Sequence, residues 1–205
     1  MNKNPNKIVF AIGNWGLEFI WSLGFAIWNL NSLNGGHMNK ICYSSFDSPL
    51  LKKVFVASTE RGVCMVDFLK SEKAFLKRLK KRFTEEIIRD DQKNKNVLNQ
   101  LKKYLKGEVQ RFDCKLDFKG TPFQKRVWSA LAKIPYGQTR SYKEIARTIG
   151  DPKASRAVGN ANGQNSIPLI IPCHRVIASN GGLGGFGHGI EVKRRLLEFE
   201  KTHGV

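Results

Sequence analysis

Acidic residues are scarce in this chain. Of its 205 residues, 17 are Asp or Glu and 35 are Lys or Arg, which gives a formal net charge of +18 at pH 7. A surface with such an excess repels basic partners and attracts polyanions over about a Debye length, so nucleic acid is the expected partner. Lysine runs can also simply solvate helix faces, and residues 77–82 and 102–103 fit that interpretation as well. Charge alone therefore does not decide the function.

Cysteine is sparse too. The chain has four cysteines, which lack the spacing of a zinc knuckle or ribbon and are too few for a small disulfide scaffold. We therefore expect no required metal ion, a reducing compartment and a cytoplasmic location.

Long apolar runs are limited to one segment, residues 8–30, in which Glu18 is the single charge. Its length matches a membrane span and exceeds the apolar core of an ordinary secretory signal. Glu18 and three glycines weaken it as an anchor, and the composition changes sharply at Met38. We favour the interpretation that residues 1–38 are an extension that is not translated and that the working protein begins at Met38. A membrane anchor is the alternative.

Residues 39–120 predict an α+β domain in which an antiparallel sheet precedes helices. Alternating apolar residues favour strands at 41–43, 54–57 and 63–68. Ser71 is expected to cap a first helix, and a second helix should carry apolar residues from Val97 to Leu105. Residues 112–118 alternate like one more strand or an extended linker. We place the domain boundary near Gly120.

Residues 121–205 predict a compact, mostly helical domain. Capping boxes at 121–124 and 141–144 should open helices, the first running to Leu131 and the second ending at Gly150. A glycine-rich loop at 184–189 precedes a last helix, predicted at 191–201.

The centre of this second domain has the pattern of a helix-turn-helix. After the turn at Asp151 and Pro152, a helix over residues 153–162 should follow. We expect its inner face to hold Ala154, Ala157, Val158 and Ala161, and its exposed face Ser155, Arg156, Asn160 and Asn162. Any pair of antiparallel helices looks similar, so the motif alone does not predict DNA binding. The motif together with the basic surface does.

Cys173 is the candidate nucleophile. It directly follows Pro172 and precedes His174 and Arg175, and an imidazolium or guanidinium beside a thiol lowers the pKa that opposes thiolate formation. Free cysteine is more often a small buried hydrophobe, and we interpret Cys42, Cys64 and Cys114 as core or surface thiols.

From about Ile41 to its end, the chain resembles the O6-alkylguanine-DNA alkyltransferases. Six motifs occur in the order of that family, at residues 121–128, 134–137, 141–142, 156–159, 165 and 172–176. The resemblance implies direct DNA repair without a cofactor, in which an alkylated base is flipped out of the duplex. Ser166 and Asn162 depart from the residues common in the family near the pocket, so the preferred alkyl size is left open.

The resemblance also implies roles for four residues of the chemistry. Cys173 would be the alkyl acceptor, and His174 would take its proton through a water molecule. Glu200 would orient that imidazole, as the third member of a triad does. Tyr142 would donate to the guanine as it leaves.

Seven more residues would bind DNA or the base: Ser155, Arg156, Asn165, Pro168, Val176, Phe186 and Gly187. Arg156 would fill the space left by the extruded base, with its helix in the minor groove. Asn165 would tie that helix to the active-site turn.

The product would be a thioether, which a base and a water molecule do not hydrolyse. The family resemblance therefore predicts a self-inactivating monomer without an obligate protein partner. It would repair one O6-alkylguanine, or O4-alkylthymine, per chain in double-stranded DNA. Two alternatives are a lesion-binding relative that performs no chemistry, which would lack Cys173, and a Cys-His hydrolase, which would have no use for a helix-turn-helix.

Overall fold

The computed structural model describes residues 40–68 and 70–204. Residues 39–205 form one compact unit. The apolar segment at 8–30 and the start proposed at Met38 lie outside the described residues. No helix among the described residues is long and apolar enough to cross a membrane.

A four-stranded mixed sheet forms the N-terminal half. Its strands are β1 (Ile41–Ser48), β2 (Lys52–Thr59), β3 (Gly62–Phe68) and β4 (Ile87–Arg89), in the order β3-β2-β1-β4. The first three pair antiparallel, as predicted, whereas β4 pairs parallel to β1. Sequence analysis missed β4 because three residues are too short for an alternating pattern to show.

Two helices cover opposite faces of this sheet. Helix α1 (Glu72–Arg82) begins after Ser71, whose hydroxyl accepts from the Ala74 amide at 3.3 Å, as the capping prediction required. Phe75 and Leu79 are the buried residues of this helix, and they pack against one face of the sheet. Helix α2 (Lys95–Tyr104) packs on the other face, and strand β2 between them is apolar on both sides.

The segment at residues 112–118 is an extended linker that runs beside β3. The Val63 amide donates to the Lys115 carbonyl at 2.9 Å, and the Asp117 amide donates to the Val63 carbonyl at 2.8 Å. Gly62 permits this approach, because a Cβ there would lie 2.3 Å from the Lys115 oxygen.

The C-terminal half is mostly helical, as predicted. Its helices are α3 (Pro122–Leu131), α4 (Tyr142–Thr148), α5 (Ser155–Gly163) and α6 (Ile190–His203). Both predicted capping boxes are present, at α3 and α4. A parallel strand pair, β5 (Arg140–Ser141) and β6 (Val176–Ile177), and a 3₁₀ helix (Cys173–Arg175) complete it.

The inner face of α5 differs from the prediction. Val158 and Ala161 are buried as expected, but Ala157 is exposed and Asn162 is buried. The prediction for Asn162 was wrong because its amide has a partner inside: Nδ2 donates to the Cys173 carbonyl at 3.3 Å. A buried amide is tolerated where it is hydrogen-bonded.

Candidate active site

A cleft of about 710 Å³ opens between α5 and the glycine-rich loop. Predicted site residues that line it are Tyr142, Ser155, Arg156, Asn165, Pro168, Cys173, Phe186 and Gly187. His174, Glu200 and Val176 are fully buried and are not among the lining residues. The structure thus brings the thiol and most of the residues predicted to bind DNA to one cleft and places His174 and Glu200 inside the protein.

The chain reaches Cys173 through a series of turns rather than a strand. Prolines at 168 and 172 disrupt extended pairing, and Leu169 has a positive φ of 72°. Asn165 holds the segment from both sides: its Nδ2 donates to the Ile171 carbonyl at 2.7 Å, and its Oδ1 accepts from the Ile167 amide at 3.0 Å. These two hydrogen bonds hold the segment 165–171, and the role of Asn165 in joining the helix to the active-site turn stays a prediction.

Cys173 is a buried thiol. Burial raises its pKa to about 11, although the Asn165 amide, the Lys193 ammonium and nearby backbone groups act in the opposite direction. The side chains of its sequence neighbours His174 and Arg175 bind Glu200 rather than the thiol. The resting protein therefore holds a protonated thiol that needs a base.

His174 is arranged as that base. Its Nε2 lies 2.7 Å from Glu200 Oε1, and since a carboxylate only accepts, Nε2 carries the proton. Its Nδ1 is buried and has no hydrogen-bond partner among the described residues. Burial lowers the pKa of His174 despite Glu200, which keeps the imidazole neutral and the Nδ1 lone pair free.

Glu200 is the centre of a buried polar network. Arg175 donates to it from Nε at 2.8 Å and from an Nη at 2.9 Å, and the Gly137 amide donates at 3.0 Å. Burial alone would raise the carboxyl pKa, but His174 and Arg175 outweigh it and bring the pKa to about 2. Glu200 is thus a fixed negative charge behind the imidazole.

Tyr104 is a member of this network that sequence analysis missed. Its hydroxyl donates to Glu200 Oε1, the same oxygen that His174 contacts. Tyr104 is fully buried at the end of α2, so the N-terminal half reaches the acid–base pair. The signal was present in the helical spacing of Val97, Leu101 and Tyr104, which all face inward.

Lys193 holds the glycine-rich loop in place and was also missed. Its ammonium is buried and donates to the carbonyls of Val176, Leu183 and Gly185. Burial lowers its pKa to about 8. The loop passes so close to Tyr142 that a Cβ at Gly184 would lie 3.0 Å from the ring, which explains a glycine there.

A second tie joins this loop to the sheet. His188 Nε2 lies 2.8 Å from the buried carboxylate of Asp67, and its ring stacks on Phe68 with centroids 4.0 Å apart. Arg78 of α1 donates to the same carboxylate. The glycine-rich loop is therefore anchored to β3 and α1, which no local pattern in the sequence indicates.

Comparison with known proteins identifies the family of both halves of the chain. Residues 41–118 match the family described as "6-O-methylguanine DNA methyltransferase, ribonuclease-like domain", and residues 122–202 match "6-O-methylguanine DNA methyltransferase, DNA binding domain". The chain therefore belongs to the 6-O-methylguanine DNA methyltransferase family.

Individual relatives are similar over most of their length. A methylated-DNA–protein-cysteine methyltransferase of Methanosarcina acetivorans is 44% identical over 158 residues, which cover 77% of this chain and 97% of the relative. The crystal structure of the Mycobacterium tuberculosis O6-methylguanine methyltransferase has a TM-score of 0.69 at 42% identity, covering 80% of this chain and 95% of that one. Another structure, of Mycobacterium tuberculosis OGT in complex with DNA, has a TM-score of 0.70 at 42% identity and covers 79% and 94%.

Proposed function

We propose that this chain repairs DNA directly, by moving an alkyl group from O6-alkylguanine to the sulfur of Cys173. One observation carries the assignment to Cys173: the thiol lies in a cleft bordered by α5, and its neighbour in the 3₁₀ helix is a neutral imidazole with a free, buried Nδ1. The names of the relatives supply the substrate class.

The first step is removal of the thiol proton. His174 Nδ1 takes this proton through a water molecule, and the imidazolium that forms is stabilised by the charge of Glu200 at Nε2. The low pKa of Glu200 keeps its carboxylate ionised during this step, so the proton stays on the imidazole.

The second step is substitution at the alkyl carbon. The sulfur forms a bond to that carbon while the bond from carbon to O6 breaks, and the electron pair moves to the guanine. Tyr142 lines the cleft, and its hydroxyl is the donor that protonates or hydrogen-bonds the leaving base. The thioether is stable, so each chain reacts once.

The DNA partner is double-stranded and bound from the minor groove, with the damaged base flipped into the cleft. Arg156 is exposed at the mouth of the cleft and takes the space of the extruded base, and Ser155 begins the same helix. Flipping is required because the reacting atom is inaccessible inside a stacked duplex. We include O4-alkylthymine as a substrate and propose that the monomer acts without an obligate protein partner.

The cytoplasm is the proposed compartment. All four cysteines are free thiols, and persistent free thiols fit a reducing environment.

The test follows a labelled methyl group. Duplex DNA that carries O6-methylguanine labelled in the methyl group is incubated with the protein, and the label is located by peptide mass spectrometry. We expect transfer to the peptide with Cys173, saturation at one equivalent, and complete loss in Cys173→Ala. The half-buried Cys114→Ala is the matched control and should transfer as the unmodified protein does.

Other outcomes would refute parts of this proposal. Tight binding without transfer would indicate a lesion-binding protein, and label release with repeated turnover would exclude the single-use mechanism. Retained transfer in Cys173→Ala would move the acceptor elsewhere.

A further inference from the structure

The lysine run that sequence analysis left open forms one face of α1. Four lysines of this helix are exposed: Lys73, Lys77, Lys80 and Lys81. Their spacing places them on one side of the helix, away from the buried Phe75. None of the four forms an ion pair with any other residue that the structure describes. We refer to these four residues as the lysine face.

The lysine face belongs to a helix that also borders the cleft. Lys70, just before α1, and Arg78, within it, both line the cleft, and both are paired with Asp67. Arg156 of α5 lines the same cleft. Cations from both halves of the chain therefore surround the place where the damaged base would enter.

No carboxylate of α1 neutralises this surface. The one acidic residue of the helix is Glu72, which accepts from the Tyr43 hydroxyl at 2.8 Å and lies 3.8 Å from Arg89. Asp67 contacts Arg78 and His188 and lies 4.0 Å from the Lys70 ammonium, so these three residues balance its charge.

We propose that the lysine face is a second DNA-binding surface, which contacts phosphates of the duplex as it leaves the cleft. The inference rests on the proposed function, since it needs DNA at the cleft. Eleven residues of α-helix extend about 16 Å, comparable with about five base pairs at 3.4 Å each. Phosphate contacts of this kind add affinity and orientation but read no sequence.

The chain offers a matched control in the other lysine pair. Lys102 and Lys103 are exposed on α2, which packs against the opposite side of the sheet, and neither lines the cleft. Replacing them by glutamine removes the same charge as replacing Lys77 and Lys81. The two double variants differ in the position of the lost charges and in one contact, since the Lys102 ammonium lies 5.5 Å from the Phe46 ring centroid.

The experiment measures binding of the full chain to an unmodified duplex of about 20 base pairs by fluorescence anisotropy, between 50 and 200 mM salt. Each lost phosphate contact lowers the slope of log K against log salt by about 0.9. We expect Lys77→Gln/Lys81→Gln to reduce the slope by about 1.8, equivalent to about a tenfold smaller loss of affinity across this range. Lys102→Gln/Lys103→Gln should keep the slope of the unmodified protein.

An unchanged slope in Lys77→Gln/Lys81→Gln would overturn the proposal, and so would an equal reduction in both variants, which would indicate net charge alone. Methyl transfer from O6-methylguanine in duplex DNA to Cys173, measured by intact mass, tests the chemistry separately. If the unmodified protein failed that assay, the proposed function would fail. The slopes of log K against log salt would still show whether the lysine face binds DNA.

Discussion

Glu200 accepts hydrogen bonds from four residues in three parts of the chain, and these contacts support the proposal that the buried His174 acts as a base. His174 and Arg175 belong to the active-site turn, Gly137 to the loop after α3, and Tyr104 to the N-terminal half. A buried carboxylate is stable only when its oxygens are satisfied. The same contacts fix the orientation of the imidazole.

Tyr104→Phe should shift the pH dependence of alkyl transfer toward higher pH. Without the tyrosine hydroxyl, Glu200 interacts more strongly with Nε2–H, which stabilises the imidazolium and raises the pKa of His174. Transfer needs neutral His174, so the acidic limb of the rate profile moves upward. One hydrogen bond of about 1 kcal/mol corresponds to at most about 0.7 of a pH unit.

Tyr136→Phe is the matched control for this prediction. The Tyr136 hydroxyl is buried without a hydrogen-bond partner among the described residues, and its ring packs edge-on against Tyr104 at 5.7 Å. Its removal should leave the profile in place. Equal shifts in single-turnover rates of both variants would show that Tyr104 acts through packing only.

Among the elements, the two capping boxes begin helices with different positions relative to the cleft. Thr121 and Gln124 open α3, and Ser141 and Glu144 open α4, whose first residue is Tyr142. Both boxes satisfy amides that a helix start leaves free. Only the second box positions a side chain to which we assign a role in the reaction, that of Tyr142.

Thr121→Ala and Ser141→Ala should each lower the free energy of unfolding by about 1 kcal/mol. Ser141→Ala should in addition slow alkyl transfer, because the start of α4 positions the Tyr142 hydroxyl. Urea unfolding and single-turnover transfer rates measure the two effects. Transfer slowed to the same degree in both variants would contradict a specific role for the start of α4.

At the scale of the whole described molecule, one hydrophobic cluster spans both halves, and a second lies between α1 and the sheet. The cluster that contains Val56 and Leu101 continues through Trp128 and Leu196. The Val66 amide also donates to the Ser166 carbonyl at 2.9 Å, which ties the outer edge of β3 to the active-site segment. The hydrophobic packing continues across residue 120, so the domain boundary near Gly120 stays a prediction.

Stability should fall as the pH falls from 7 to 3, for two reasons with the same sign. His174 has a lowered pKa in the folded state, so its contribution is complete above about 6.5 and is lost below that value. Glu200 has a folded pKa of about 2, so its contribution is present above about 4.3 and is lost between that value and 2.

Urea unfolding at a series of pH values measures this dependence. Glu200→Gln should show a smaller slope than the unmodified protein below about pH 4.3. Glu198→Gln is the control, since Glu198 forms an exposed ion pair with Arg194 at 2.8 Å and such pairs contribute little. A Glu200→Gln slope equal to that of the unmodified protein would show that other carboxylates dominate acid unfolding.

Local patterns in the sequence were sufficient for most of the elements. The alternating strands β1 to β3, the Ser71 cap and both capping boxes are determined by residues within a few positions of one another, so no distant contact was needed to predict them. Strand β4 was missed because it exists only through its pairing with β1. The sequence allowed either a strand or an extended linker at 112–118. The hydrogen bonds of Val63 show that this segment is an extended linker beside β3.

The sequence by itself determined the motif around Cys173 and the helix pair beside it, because both are written in short segments. Only the tertiary structure decided the chemistry of that motif. Folding buries Cys173 and raises its pKa, turns His174 and Arg175 toward Glu200, and brings Tyr104 to the same carboxylate from 96 residues away. The physical reason is that pKa values and hydrogen-bond partners depend on burial and on distances between remote segments, which a linear pattern does not contain.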